Sequence, residues 1–244
     1  MCIRDSDAPA SGRMAVAEAI TNLLAAPFEL SRVKLSANWM AACGESGEDA
    51  ALYRTVEAVG LELCPALGIS IPVGKDSLSM RTQWKDADGA ARKVTAPVSL
   101  IVSAFVTLAD VRGTLTPQLE AESDTTLILV DLGAGQHRMA GSVLAQALGQ
   151  EGTDVPDLDD PQDLVHLVDA VNALRAQGKL LAYHDRSDGG LLAAVAEMAF
   201  AGHVGVALNV DMLITEGDGI SDSRMETGLS LIHISEPTRP LYIS

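Results

Sequence analysis

A polar turn between two apolar segments constrains this chain more than any other feature. The run Ala182-Tyr183-His184-Asp185-Arg186-Ser187-Asp188-Gly189-Gly190 follows the short apolar segment 179–181 and precedes the apolar segment 191–200. This order is typical of a strand, a tight turn and a helix. A helix N-terminus offers free N–H groups and the positive end of its dipole to an anion. Carboxylates at such a turn need a cation beside them, and Mg²⁺ bridging phosphates is the commonest case.

The same turn has a simpler interpretation. Its Asp and Ser side chains would satisfy the first backbone N–H groups of the helix as ordinary N-caps, with no ligand involved. The turn alone does not separate a binding site from a cap.

A second polar pair lies near the start of the chain. The apolar periodicity of residues 12–26 predicts a helix, which Pro27 ends. Glu18 and Asn22 are four residues apart, so both side chains project from one face of this helix. Together they can offer two oxygen ligands to a hard cation. The alternative is a polar pair that simply faces solvent.

Composition excludes several classes of protein. The formal net charge is −16, which disfavours binding to nucleic acid or to an anionic membrane, although Mg²⁺ would still allow nucleotides to bind. Aromatic residues make up 3% of the chain, too few for a base-stacking platform. No apolar run reaches the length of a membrane span. The three cysteines form no CxxC pair and no metal-binding spacing, so we expect a reducing, cytoplasmic location.

A third polar cluster follows a predicted short strand at 69–73. Gly74 is predicted to open a loop in which Lys75, Asp76 and Ser77 could contact a phosphate or a substrate oxygen. The segment is not a Walker A loop, because the first glycine and the four-residue spacer are absent. The alternative is a hairpin turn with a solvated lysine.

Periodicity elsewhere predicts a mixed α/β chain. The predicted helices span 48–67, 140–148 and 161–177. The other predicted strands span 33–39, 125–132 and 204–210, with a strand buried on both faces within the β-rich segment 94–109. A hydrolase triad is absent, since there is no Gly-x-Ser-x-Gly elbow and neither Cys43 nor Cys64 lies at a nucleophile turn. His184 is interpreted as a packed histidine whose ring is satisfied.

Both ends differ in character from the middle of the chain. Residues 1–6 and 220–244 resemble translated sequencing-adapter sequence and show no sustained periodicity. We expect a non-native leader at 1–6 and a non-native or disordered tail at 220–244, and predict no fold for either.

Several long motifs resemble the large phosphoribosylformylglycinamidine synthases of purine biosynthesis. The resemblance covers about residues 7–213 in order, and its segments are 17–22, 34–40, 47–50, 62–68, 71–77, 115–119, 181–190 and 193–203. It implies an aminoimidazole ribonucleotide synthetase-like (PurM-like) α/β fold. Residues 7–117 would form part of the N-terminal-type domain of the second synthetase half, and residues 118–219 part of its C-terminal-type domain.

The resemblance also implies an activity. These ligases use ATP to activate the amide oxygen of formylglycinamide ribonucleotide, and ammonia from glutamine then displaces the phosphate to give the amidine. The partners would be small-molecule nucleotides and the remainder of the same polypeptide, namely the first synthetase half and the glutaminase domain. No residue of the glutaminase triad is carried here. The isolated chain is therefore expected to be inactive.

Site residues follow from the motifs that match. Glu18, Asn22 and Asp185 correspond to Mg²⁺ ligands of the family and Ser187 to a nucleotide contact, so Mg²⁺ and ATP or ADP are the implied cofactors. The site would be the structural one of the family's two nucleotide sites, and no catalytic residue is assigned. Two alternatives stay open: another ATP-using member of the superfamily, such as aminoimidazole ribonucleotide or selenophosphate synthetase, or a nucleotide-binding module without turnover.

Overall fold

The fold is taken from a computed structural model of the 244-residue chain. The structure describes residues 7–121, 125–136, 138–150, 152–186 and 189–208, together with the backbone of a strand at 238–243. Ser187 and the predicted leader 1–6 lie outside the described residues.

The first helix, α1 (Ala8–Leu23), begins four residues before the predicted start. Asp7 is its N-cap, since the carboxylate accepts a 2.9 Å hydrogen bond from the N–H of Ala10, and a proline occupies the first turn. These are standard helix-start signals that precede the apolar periodicity. The helix packs its apolar face on a sheet, with Val16, Ala17 and Ile20 fully buried.

That sheet has three strands in the order β2-β1-β5, which are β1 (Lys34–Met40), β2 (Ser70–Ser77) and β5 (Ser99–Phe105). Strand β2 pairs parallel to β1, and β5 pairs antiparallel to it. The β1–β2 crossover holds one continuous helix in three parts, α2 (Glu48–Glu57), a π-helical segment (Ala58–Leu63) and α3 (Cys64–Ala66). A parallel pair requires such a crossover, and the predicted helix at 48–67 supplies it.

Two predictions for this sheet are wrong. Strand β2 does not stop at Val73, because residues 74–77 continue to pair with β1, so Lys75, Asp76 and Ser77 lie in an edge strand and not in a loop. Strand β5 is not buried on both faces, since Ile101 is 55% and Phe105 60% exposed. The reason is that helices cover one face of the sheet, and among the described residues nothing comparable covers the other.

A hairpin that the sequence did not predict follows β2. Its strands, β3 (Arg81–Lys85) and β4 (Ala91–Thr95), pair with each other and with no other described strand, and they are almost wholly exposed. These strands contain mainly charged and polar residues, so they show no apolar alternation that would predict a strand. The Asp-Gly pair that ends at Gly89 could have indicated the hairpin, because such pairs favour tight turns and Gly89 has φ +82°.

The second half of the chain contains a sheet with the order β6-β8-β7, formed by β6 (Thr126–Asp131), β7 (Leu180–Tyr183) and β8 (Thr238–Ile243). The described residues of this half include the helices α4 (Val143–Ala147), α5 (Pro161–Ala176) and α6 (Gly190–Gly202). Asp160 caps α5 through a 2.8 Å hydrogen bond from Gln162 N–H, as its sequence predicts.

Strand β8 contradicts the exclusion of the tail from the fold, because it lies between β6 and β7 and runs antiparallel to both. Its sequence includes Pro240, which donates no ladder hydrogen bond and argues against a central strand. Any extended backbone can still satisfy the free edges of its neighbours. The strand predicted at 204–210 is also wrong where it is described, since residues 204–208 are irregular.

The main hydrophobic core is shared by the two halves of the chain. It joins Ile20 and Leu35 from the first half to Leu164, Val168 and Tyr183 from the second. Among the described residues no helix combines the length and apolar character that crossing a membrane requires.

Candidate functional site

Helix α1 and strand β7 meet at a buried hydrogen bond. The hydroxyl of Tyr183, the last residue of β7, donates to the carbonyl of Thr21 in the last turn of α1 at 2.8 Å. Both residues are 3% exposed. Glu18 and Asn22 flank Thr21 on α1, and Asp185 lies two residues after Tyr183. We call these five residues the α1–β7 junction.

The Tyr183–Thr21 hydrogen bond joins the two segments that carry the predicted metal ligands. Two residues of extended chain span at most about 7 Å, and side chains four apart on a helix lie about 5–6 Å from each other. Glu18 and Asn22 are exposed, and the Asp185 side chain retains 21% of its accessible surface. The Glu18 carboxylate is therefore exposed and that of Asp185 partly exposed, while Thr21 and Tyr183 between them are buried.

Three further side chains hold α1 against the second half. Arg175 and Asn172 of α5 donate to the carbonyls of Leu24 and Phe28, the latter at 2.8 Å. A free C-terminal carbonyl of a helix needs such a donor. At the other end of α1, Arg13 forms a bidentate ion pair with Asp157, at 2.8 and 2.5 Å. The position of α1 is thus fixed along its length.

His184 lies between two carboxylates, beside the predicted ligand Asp185. Its Nε2 is 2.6 Å from Oε2 of Glu197, and its Nδ1 is 3.5 Å from Oδ1 of Asp185. The Asp185 carboxylate raises the pKa of His184 above its usual value, and Glu197 adds to this against the opposing effect of burial. The ring is therefore packed and satisfied, as its sequence position suggested. The sequence did not predict that Glu197 contacts His184. Its place on the face of α6 that is turned toward His184 could have indicated this contact.

The turn ends at two glycines in the left-handed region. Gly189, the N-cap residue of α6, has φ +90°, and a Cβ there would lie 2.6 Å from the Cβ of Ala193. Among the described residues no side chain caps α6. The N–H groups of the first turn thus have no side-chain acceptor among the described residues, and such groups are what an anion site uses.

The residues predicted as a phosphate loop lie elsewhere. Lys75 pairs with Asn38 and Ser77 with Met40 across the β1–β2 ladder, on the side of the sheet opposite α1. Asp76 pairs with Trp39, whose side chain packs against the α1 core. We call the side that bears Val73, Lys75, Ser77, Ile101 and Phe105 the outer face. The sheet separates Lys75 and Ser77 from the junction.

The chemistry of the junction fits Mg²⁺. Two carboxylates and an amide oxygen are hard oxygen ligands, and their charge matches a divalent cation. Within the described residues no three His, Cys, Asp or Glu side chains group closely enough to bind a metal. A metal here would therefore depend on the amide of Asn22 as well as on Glu18 and Asp185.

Comparison with protein families matches each half of the chain separately. Residues 2–107 match the FGAR-AT PurM_N-like domain, and residues 124–235 match the C-terminal domain of AIR synthase related proteins. The order of the two domains is that of a PurM-like chain.

Solved structures of three proteins share the fold. PurL of T. maritima complexed with FGAR superposes with a TM-score of 0.59 at 13% identity, over 97% of this chain and 35% of that one. HypE of E. coli, a hydrogenase maturation protein, gives 0.56 at 14%, over 96% and 64%. Thiamine-monophosphate kinase of Stenotrophomonas maltophilia gives 0.55 at 18%, over 98% and 69%.

These matches establish the class of protein. The chain has the PurM-like fold, with an N-terminal-type and a C-terminal-type domain, as the sequence predicts. This fold is shared by ATP-using enzymes, among them a kinase and a PurL that has been solved with ATP. The chain spans about a third of the length of T. maritima PurL.

Proposed function

We propose that this chain is a part of phosphoribosylformylglycinamidine synthase, from the second half of its synthetase region. The match of residues 2–107 to the FGAR-AT type of PurM N-terminal domain supports this assignment over other members of the fold. PurL of T. maritima, solved with FGAR and with ATP, supports the same choice at low identity. The whole enzyme would be an ATP-dependent, glutamine-using ligase of purine biosynthesis acting in the cytoplasm.

Within that enzyme, this chain would contribute a site for magnesium and ADP or ATP. The observation that carries the proposal is the Tyr183–Thr21 hydrogen bond, because it joins the helix bearing Glu18 and Asn22 to the strand end bearing Asp185. These three side chains would hold Mg²⁺, and the metal would neutralise phosphate charge next to the first turn of α6. Ser187 would contact the nucleotide.

The role of the isolated chain is binding without turnover. No general acid, base or nucleophile is assigned at the junction, and the remaining synthetase half and the glutaminase domain would complete the active enzyme. Lys75, Asp76 and Ser77 would serve a different surface of that larger enzyme. Ammonia-dependent release of ADP by this chain alone would contradict this role.

A thermal melt of the chain tests the site. A ligand that binds only the native state raises the melting temperature by mass action. At a concentration 100 times its Kd, it adds about 2.7 kcal/mol to the unfolding free energy. We expect Mg-ADP to raise the melting temperature, and the combined substitution Glu18→Ala and Asp185→Ala to abolish the rise. A rise that survives the double substitution would place the nucleotide elsewhere.

A second candidate is another ATP-using enzyme of this fold, because HypE and thiamine-monophosphate kinase superpose almost as well as PurL. The same melt distinguishes them when FGAR and thiamine monophosphate are added in turn with Mg-ATP. Stabilisation by thiamine monophosphate but not by FGAR would favour a kinase.

A further inference from the structure

We propose that Tyr183 is a positioning residue of the nucleotide site, whose hydroxyl sets the separation between the two parts of the metal-ligand set. This inference rests on the proposed function, because it assigns a role toward the metal of that site. Tyr183 itself would touch neither metal nor nucleotide.

The hydrogen bond of Tyr183 lies next to the proposed ligands on both sides. Its acceptor, Thr21, is adjacent to Asn22, and the Thr21 hydroxyl in turn donates to the carbonyl of Glu18 at 2.7 Å. On the other side only His184 separates Tyr183 from Asp185. A change in the length of this one contact would therefore move Asp185 relative to Glu18 and Asn22.

The end of β7 has a second anchor in the backbone. The N–H of Tyr183 donates to the carbonyl of Thr116 at 3.0 Å, and the neighbouring Leu115 N–H donates to Ala25 at 2.7 Å. The strand end and the helix end are thus tied to the same connecting segment. The tyrosine hydroxyl completes this arrangement directly at the ligand-bearing turn.

Two other hydrogen bonds between the halves lie farther from the ligands. Arg175 binds the carbonyl of Leu24 and Asn172 that of Phe28, beyond the end of α1. Those bonds stabilise the packing of the halves, whereas the Tyr183 bond lies within the turn that carries Asn22. Magnesium requires nearly ideal octahedral geometry, so its affinity responds to small displacements that leave packing intact.

The substitution Tyr183→Phe removes the hydroxyl and keeps the ring that packs in the shared core. In the 244-residue chain, ADP binding is titrated by calorimetry at a series of Mg²⁺ concentrations, and the ligand-free melting temperature is recorded. Outer-shell partners of a metal typically contribute about 10–100-fold to its affinity. We expect Tyr183→Phe to raise the Mg²⁺ concentration for half-maximal ADP binding by about tenfold or more.

Two control variants separate positioning from general stability. Tyr53→Phe removes a hydroxyl from an exposed tyrosine and should change neither quantity. Asn172→Ala removes the hydrogen bond to the Phe28 carbonyl and the 2.7 Å hydrogen bond from Arg175, both beyond the turn that carries Asn22, so it should lower the melting temperature but leave the Mg²⁺ midpoint unchanged.

Each outcome decides the proposal. An unchanged Mg²⁺ midpoint in Tyr183→Phe, beside magnesium-dependent binding in the unsubstituted chain, would overturn the positioning role alone. An equal shift in Asn172→Ala would also overturn it, because loosening of the halves would then explain both. If the unsubstituted chain binds no ADP at any Mg²⁺ concentration, the proposed site itself fails and the positioning role with it.

Discussion

The α1–β7 junction and the outer face of the β2-β1-β5 sheet both bear polar residues that their sequence marks as functional, but they differ in what surrounds them. At the junction, ligand-type side chains emerge from backbone that is buried and hydrogen-bonded across the two halves. On the outer face, Lys75 and Ser77 share an open sheet surface with exposed Val73, Ile101 and Phe105.

This difference indicates two kinds of function. A metal site requires ligands held to within about 0.5 Å of the binding geometry. Buried backbone that is hydrogen-bonded between the two halves provides this. An open sheet face with apolar side chains and an unpaired edge is typical of a surface that another domain covers. If the proposed function holds, we expect the nucleotide at the junction and a covering domain at the outer face.

An isoleucine-to-alanine substitution in each region should give the largest difference in unfolding free energy. Ile20→Ala on α1 removes a fully buried side chain from the shared core and should cost about 2–5 kcal/mol of unfolding free energy. Ile101→Ala on the outer face removes a 55% exposed side chain and should cost less than about 1 kcal/mol. Urea denaturation of both variants measures the difference. Equal losses would mean that the outer face is covered in the free chain.

The second-largest effect should come from two ion pairs, one half-buried and one exposed, which should contribute differently to stability. Asp157→Asn weakens the bidentate contact to Arg13, whose charge is largely buried against α1, and should cost about 1.5–3 kcal/mol in the same denaturation experiment. The matched control is Asp110→Asn, which weakens a bidentate pair with the 88% exposed Arg112. No measurable loss is expected there, since exposed pairs are screened by solvent. A loss at Asp110 as large as that at Asp157 would contradict the cross-domain role of Arg13.

The two described cysteines should differ in reactivity, because Cys64 is buried and Cys43 is half-exposed. Burial raises the pKa of Cys64 to about 11, so about one molecule in a thousand carries the thiolate at pH 8. In a Cys2→Ser variant, a thiol reagent should label the half-exposed Cys43 in native protein and Cys64 only after unfolding. Comparable labelling rates in native protein would show that the helix after α2 opens readily.

Stability should also depend on pH through Cys64. Its pKa is higher in the folded chain than the value of about 8.5 for a free thiol. Deprotonation therefore favours the unfolded chain, and the contribution of this thiol to stability is complete below about pH 8.5 and declines as the pH rises toward 11. The unfolding free energy of a Cys64→Ala variant should lack this decline.

The smallest effect is expected on the outer face. Lys75→Ala and Ser77→Ala should leave the Mg-ADP shift of the melting temperature unchanged, because the sheet separates these residues from the junction. A lost shift in either variant would place the nucleotide on the outer face and would contradict the division of roles.

Local signals in the sequence were sufficient for much of this fold. Asp160 and Pro161 mark the start of α5, and the alternation in β1 and the continuous apolar run of β6 mark two strands, because caps and apolar patterns act within a few residues. The grouping of Glu18 with Asn22 follows in the same way from helical spacing.

Features that depend on distant parts of the chain were not predictable. Whether residues 74–77 form a loop or a strand depends on the partner β1, and a Lys-Asp-Ser run carries no local sign of pairing. Strand β8 lies in a tail that was excluded because it shows no sustained periodicity, yet its neighbours β6 and β7 provide the hydrogen bonds. The Tyr183–Thr21 bond spans 162 residues, so no periodicity could indicate it.

The central claim is that a metal and a nucleotide bind at the α1–β7 junction. A crystal structure of the chain with Mn²⁺ and ADP tests this directly, because the anomalous signal of manganese locates the ion. We expect a peak about 2.0–2.5 Å from oxygens of Glu18, Asn22 and Asp185. A peak beside Asp76, or nucleotide bound with no metal at the junction, would contradict it.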